Sequence, residues 1–278
     1  MRYLILGKNG QLGQAFEKVL KDKEVLGFDK EDCDISDFDR LKEVFEAYRP
    51  DIVLNCSAYN FVDKAETDFP NAYKTNAYGV KNLAYLSKKY NAYFITYSTD
   101  YVFDGKKEGL YEEEDTPNPL NEYGKSKLTG EIWALEEGLE KCLIFRTSWV
   151  YGDGAQNFVY KLLNWAKNND TLKIAVDEFS VPTPTSFLVE KTLKAINKNI
   201  SGLYHLVPNG YASRYEWAKL ILKTYGIRKT IIPVSKDIFN LPAKRPGFSA
   251  LDSTKIQEEL NETFKEWDEE FEKINDEK

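Results

Sequence analysis

A chain of 278 residues can bury a full hydrophobic core, either as one large domain or as two modest ones. Hydrophobic residues make up 42% and charged residues 30%, the balance of a globular protein rather than a disordered one. The net charge of −7, from 38 Lys and Arg against 45 Asp and Glu without a basic block, argues against a nucleic-acid partner, which needs a Lys/Arg patch. A phosphorylated small substrate stays open, because one or two local cations suffice for it.

The opening run Met1 to Gly7 is too short and too soon interrupted for a signal peptide, and no run approaches the roughly 20 apolar residues of a membrane span. Cys33, Cys56 and Cys142 lie far apart, in or beside apolar segments, and read as buried free thiols of a cytoplasmic protein. With a single histidine, His205, no His/Cys metal site is expected.

Taken in chain order, short apolar runs alternate with longer helical stretches. Strands are predicted at 3–6, 25–28, 52–55, 93–98 and 143–145. Helices are predicted through 15–21, 38–48, 71–90 and 123–135. Strands alternating with helices of this length make βαβ units, hence an α/β fold of the Rossmann type with a doubly wound parallel sheet. The rhythm changes after Trp149. A helix at 157–167, the loop Val181-Pro182-Thr183-Pro184, a helix at 188–196 and a strand at 202–206 follow. Tyr215 to Tyr225 reads as helical, and 233–249 as irregular. Leu260, Phe264, Trp267 and Phe271, spaced 4, 3 and 4, predict one closing helix. The expected division is a dinucleotide-binding part, 1–150, and a smaller, mainly C-terminal substrate-binding part, 151–278. Segments near 185–207 are expected to return to the sheet.

Three motifs carry chemistry. Gly7-Lys8-Asn9-Gly10-Gln11-Leu12-Gly13 sits at the first strand-to-helix junction, where glycines allow a tight turn and close approach of backbone to a pyrophosphate. A plain strand-to-helix turn is the bland alternative. Asp29, just past the second strand, stands where a ribose-binding carboxylate belongs, and Lys30 beside it could greet a 2′-phosphate, so NADPH and NADH both stay open. Tyr123 and Lys127 lie one helical turn apart on one face. A tyrosine donates a proton to a carbonyl oxygen well if a nearby cation stabilises its anion. Among 18 tyrosines this spacing alone is ordinary. Ser98, Thr99 and Asp100 end the strand one element earlier, and ligands of open parallel sheets bind outside the carboxyl ends of strands. These side chains are therefore expected to face a bound carbonyl substrate.

With these residues in place, the chain resembles the extended short-chain dehydrogenase/reductases, and among them the dTDP-4-dehydrorhamnose reductases. The resemblance covers nearly the whole length. It rests on residues 7–13, 55–66, 98–105 (Ser-Thr-Asp-Tyr-Val-Phe-Asp-Gly), 123–127, 146–152 (Arg-Thr-Ser-Trp-Val-Tyr-Gly), 202–205 and 242–246. It implies reduction of the C4 keto group of a nucleotide-activated 6-deoxysugar by hydride from NADPH or NADH. Thr99, Tyr123 and Lys127 would be catalytic. Gly7, Gly10, Gln11, Leu12, Gly13, Asp29, Ala58 and Tyr59 would hold the cofactor together with Tyr123 and Lys127. Thr99, Asp100, Tyr123 and Trp149 would meet the sugar, with Arg245 the candidate for the diphosphate. No metal, nucleic acid or membrane partner is implied, and a homodimer stays open. Cys56-Ser57, Asn60 and Asp177-Glu178-Phe179-Ser180 depart from the family pattern near the cleft, which bears on sugar and nucleotide identity more than on reaction type.

Lesser candidates read as structural: His205 as a hydrogen-bonded core residue, Asp63 and Glu66 as capping or salt-bridging groups, and Trp217 as core. The same fold also serves nucleotide-sugar epimerases and dehydratases. A non-catalytic regulatory subunit, such as the one attached to methionine adenosyltransferase, is the alternative from another class.

Overall fold

The computed structural model describes residues 1–276. Its first half runs β1 (Arg2–Leu6), α1 (Gln11–Val19), β2 (Glu24–Phe28), α2 (Phe38–Tyr48), β3 (Ile52–Asn55) and the short α3 (Val62–Ala65). Then come α4 (Phe69–Tyr73), a π-helical turn over Lys74–Gly79, α5 (Val80–Lys89), β4 (Tyr93–Thr99), α6 (Glu122–Glu136) and β5 (Cys142–Thr147). The second half holds β6 (Val150–Tyr151), α7 (Phe158–Asn168), β7 (Thr171–Ala175), β8 (Phe179–Ser180), β9 (Thr183–Pro184), α8 (Thr185–Asn197) and β10 (Gly202–His205). It ends with β11 (Ala212–Ser213), α9 (Arg214–Thr224), β12 (Thr230–Val234), α10 (Thr254–Leu260) and α11 (Trp267–Asp276).

The main sheet is parallel and six-stranded, in the order β10-β5-β4-β3-β1-β2. Its inner strands read as continuous apolar runs because helices cover both faces. Alternation along each strand divides the core. Tyr3, Ile5, Leu54, Ile95, Leu143 and Phe145 pack toward Phe16 of α1 and Phe187 and Leu188 of α8. Leu4, Leu6, Val53, Phe94 and Ile144 pack toward Leu41 and Phe45 of α2 and Leu83 of α5. A third core gathers Trp217, Ile221, Leu162, Leu172, Ile174 and Phe271 in the C-terminal half. Strand order reverses between β1 and β3, so the crevice for ligands opens beyond Leu6 and Asn55, at the carboxyl ends.

Three expectations about elements are corrected. The helix expected over 71–90 is interrupted by the π-turn at Lys74–Gly79, which re-aims Asn76 into the protein. The single closing helix is two: Asn261 adopts a left-handed conformation (φ 55°) that caps α10 and ends it. Leu260, Phe264, Trp267 and Phe271 therefore do not share one helix. The strands β7 and β12, which pair in parallel, were not expected, and Pro233 in β12 masks the second of them.

Candidate active site

The turn after β1 has its shape forced on it. Gly7 has a positive φ of 80°, and a side chain there would press on the backbone of Cys56 and Ser57 at 2.8–2.9 Å. A side chain at Gly13 would drive into Gly7 O, while one at Gly10 would meet only Gly7 O, at 3.2 Å. Gly10 therefore borders open space. It is also the N-cap of α1, with no side chain capping the helix and no acidic residue in the first turn. The first amides of α1, those of Gln11 and Leu12, are thus left without a side-chain cap, the arrangement that suits an anion. Their side chains are engaged elsewhere: Gln11 Oε1 accepts from Asn157 Nδ2 at 2.7 Å, and Leu12 packs on the core.

Asp29 follows β2 half-buried and accepts the Lys30 amide at 3.0 Å, with Lys30 itself exposed. Lys8, from the glycine turn, reaches Asp32 at 3.5 Å, bringing a second cation to this edge. Across the crevice, the backbone of Tyr59 is locked by Asn76, whose Oδ1 accepts from Tyr59 N (2.9 Å) and whose Nδ2 donates to Tyr59 O (3.1 Å) and Ser126 Oγ (3.0 Å). Asn76 thus joins the loop of Ala58 and Tyr59 to α6. Sequence reasoning passed over it; the available signal was an amide set among the small residues of a helical stretch.

The end of β4 meets the start of α6. Asn121 caps α6 by accepting from Gly124 N at 2.8 Å, which sets Tyr123 in the first turn and Lys127 one turn later. Burial raises the pKa of Tyr123, the nearby Thr99 hydroxyl lowers it, and nearby Asp100 raises it; the net direction is upward. Tyr123 therefore keeps its proton at neutral pH. Lys127 is buried as well and donates from Nζ to Tyr97 O at 2.6 Å. Burial lowers its pKa to about 8, opposed by Glu131. Thr99, Tyr123 and Lys127 are brought together, and the buried Ser98 Oγ beside them has no partner among the described residues.

Asp100 departs from the expectation that it faces the sugar. It is 2% exposed, and its oxygens are taken by Thr99 (3.1 Å), Ser180 (2.8 Å) and Ser249 (2.6 Å). Burial raises its pKa to about 6 against these three bonds. Its carboxylate ties β4 to the C-terminal half. Two residues of the departing 177–180 stretch lie in this network: Ser180 bonds Asp100, and Glu178 accepts from Tyr101 Oη at 3.3 Å beside Arg214 at 3.7 Å.

Beyond this lies a cleft of about 1060 Å³, lined among others by Trp149, Phe158, Lys161, Arg214, Lys236 and Arg245. Trp149 has a positive φ of 40°, unusual for a bulky residue, and stacks on Trp217 at 5.5 Å and 9° with the Arg214 guanidinium 3.5 Å over its ring. Arg245, expected to offer its fork to a diphosphate, has that fork closed on Asp63 by bonds of 2.7 and 2.9 Å. His205 is fully buried, with Nδ1 3.0 Å from Tyr111 O and its pKa lowered to about 3 by burial and then by Arg146. No group of three or more His, Cys, Asp or Glu among the described residues could hold a metal ion.

A parallel sheet with a glycine turn at its switch point, facing a buried Tyr/Lys pair, defines a dinucleotide-type oxidoreductase fold. The particular family follows from the comparisons: the chain belongs to the family described as RmlD substrate binding domain, whose model matches residues 1–278. The dTDP-4-dehydrorhamnose reductase of Aggregatibacter actinomycetemcomitans is 36% identical over 96% of this chain and 95% of its own. A solved dTDP-4-dehydrorhamnose reductase from Clostridium acetobutylicum superposes with a TM-score of 0.95 at 38% identity, covering 99% of both chains. The enzyme of that name from Bacillus anthracis, solved in complex with NADP, gives 0.95 at 33% identity over 100% of this chain and 99% of its own.

Proposed function

We propose that this protein reduces the C4 keto group of dTDP-4-dehydro-L-rhamnose to the hydroxyl of dTDP-L-rhamnose, with NADPH or NADH as reductant. The observation that carries the reading is Tyr123 and Lys127 buried one turn apart on α6 against the carboxyl end of β4, where Lys127 Nζ donates to Tyr97 O at 2.6 Å. The reduced nicotinamide, when bound, supplies hydride.

The chain's own residues do the rest. Tyr123 gives its hydroxyl proton to the sugar C4 oxygen, Thr99 orients that oxygen, and the Lys127 charge stabilises the tyrosinate left behind. Gly7, Gly10 and Gly13 admit the pyrophosphate to the α1 amides of Gln11 and Leu12, and Asp29 takes the adenosine ribose. Ala58 and Tyr59 line the nicotinamide side. Trp149 offers an apolar wall to the sugar, and Arg245 offers the diphosphate the N–H edge that Asp63 leaves free. Asp100 is a positioning residue, because its oxygens are spent on Thr99, Ser180 and Ser249. Residues 1–150 carry the cofactor half and 151–278 mainly the substrate half, with α8 and β10 in the sheet layers. The three free cysteines suit a cytoplasmic enzyme.

A dehydratase would need a further acid–base pair beside Thr99, and the adjacent Asp100 is buried and bonded to Thr99, Ser180 and Ser249. Mixing the protein with NADPH or NADH and dTDP-4-dehydro-L-rhamnose tests this. Loss of reduced-nicotinamide absorbance with formation of dTDP-L-rhamnose is expected. A rearranged sugar without net oxidation would make it an epimerase, and no reaction at all would favour a regulatory subunit.

A further inference from the structure

Asp63 of α3 and Glu66, the residue that closes that helix, are carboxylates three residues apart, and each fixes a different part of the site. Asp63 Oδ1 accepts from Arg245 Nη1 at 2.9 Å and from Ala243 N at 3.2 Å, and Oδ2 accepts from Arg245 Nη2 at 2.7 Å. Glu66 Oε1 accepts from the amide of Glu122, the first residue of α6, at 2.9 Å. Asn121 closes the triangle by donating Nδ2 to Lys244 O at 2.8 Å. The loop bearing Arg245 and the helix bearing Tyr123 are thus held in one register through α3.

We infer that Asp63 is a positioning residue for substrate binding, holding Arg245 so that its remaining N–H edge faces the diphosphate of a nucleotide sugar. This rests on the function proposed above. A guanidinium offers five N–H donors in one rigid plane. Asp63 takes one from each Nη, and Ala243 O takes the second of Nη1 at 3.0 Å. That leaves Nε–H and the second hydrogen of Nη2, a coplanar pair matched to two phosphate oxygens. The Asp63 side chain is 36% exposed, so the ion pair adds little to global stability. Three bonds from one carboxylate to one loop instead remove that loop's freedom before substrate arrives, which is how preorganisation raises affinity. Burial pushes the Asp63 carboxyl up, and the Arg245 hydrogen bond and charge more than reverse this, so it stays ionised at neutral pH.

The test is calorimetric binding of dTDP and of NADP⁺ to the wild type, Asp63→Asn, Arg245→Ala and the double variant, with steady-state kinetics alongside. Asp63→Asn is expected to weaken dTDP binding and raise the sugar-nucleotide KM by up to roughly tenfold, the cost of ordering one long side chain on binding. NADP⁺ affinity should hold and kcat should change little. Because Asp63 acts through Arg245, the double variant should lose no more than Arg245→Ala alone. Wild-type dTDP affinity in Asp63→Asn overturns the inference, as do losses that simply add, or NADP⁺ affinity that falls in step. A wild type that binds no dTDP would instead sink the proposed function itself.

Discussion

Tyr123 and Lys127 share one face of α6, and both are nearly fully buried, yet burial acts on them in opposite senses. It makes the tyrosine harder to ionise and the lysine easier to neutralise, because the charged form is disfavoured in each case. With Lys127 in its proposed role, its charge would set the upper pH limit of the site. Its folded pKa of about 8 lies below the ordinary 10.5, so the charge proposed to stabilise tyrosinate would fade above about pH 8. We expect kcat/KM to fall above that value, and Lys127→Arg, which stays charged, to move the fall upward. A profile flat to well above pH 8 would contradict this. The stability effect has the opposite sign. Between about 8 and 10.5 the unfolded chain binds more protons than the folded one, so the contribution of Lys127 to stability rises with pH across that window.

At the scale of elements, contacts between helices position the site. The π-turn at Lys74–Gly79 aims Asn76, 1% exposed, so that one amide serves Tyr59 N, Tyr59 O and Ser126 Oγ. Asn76→Ala would orphan the Tyr59 backbone groups and should cost about 1–3 kcal/mol of unfolding free energy, read from denaturant midpoints. A loss within about 0.5 kcal/mol, the range of ordinary surface changes, would show that the network is dispensable. The elements that carry the site motifs were legible because β4 is a short run of aromatic and β-branched residues and such runs alternate with longer helical stretches through the first half of the chain. What the sequence hid depends on partners distant along the chain. A π-turn leaves no mark on helical periodicity, and Asn261 breaks a stripe whose 4-3-4 spacing imitates one helix. The Asp63–Arg245 bond spans 182 positions, and nothing local announces it. Asp100 was misread for the same reason: Ser180 and Ser249, which consume its carboxylate, come from the other half of the chain.

Across the whole molecule, the glycine turn at the sheet's switch point and the large cleft of the C-terminal half are joined through Asn157, which lines the cleft and bonds Gln11 at 2.7 Å. The cofactor edge mixes signs, with Asp29 suited to a ribose hydroxyl and Lys30 and Lys8 suited to a 2′-phosphate. We expect both nicotinamides to serve, with kcat/KM values within about 100-fold of each other, or roughly 2.7 kcal/mol. A larger preference in either direction would show that one of these groups dominates.

The account stands on Tyr123 as the proton donor, and the most direct measurement is single-turnover reduction of dTDP-4-dehydro-L-rhamnose by wild type and Tyr123→Phe. Deuterated reduced nicotinamide would establish that hydride transfer limits the rate. A loss of about 10²–10⁴-fold in that step, with cofactor affinity retained, is the predicted result. A variant that keeps most of the wild-type rate under a full isotope effect would contradict it.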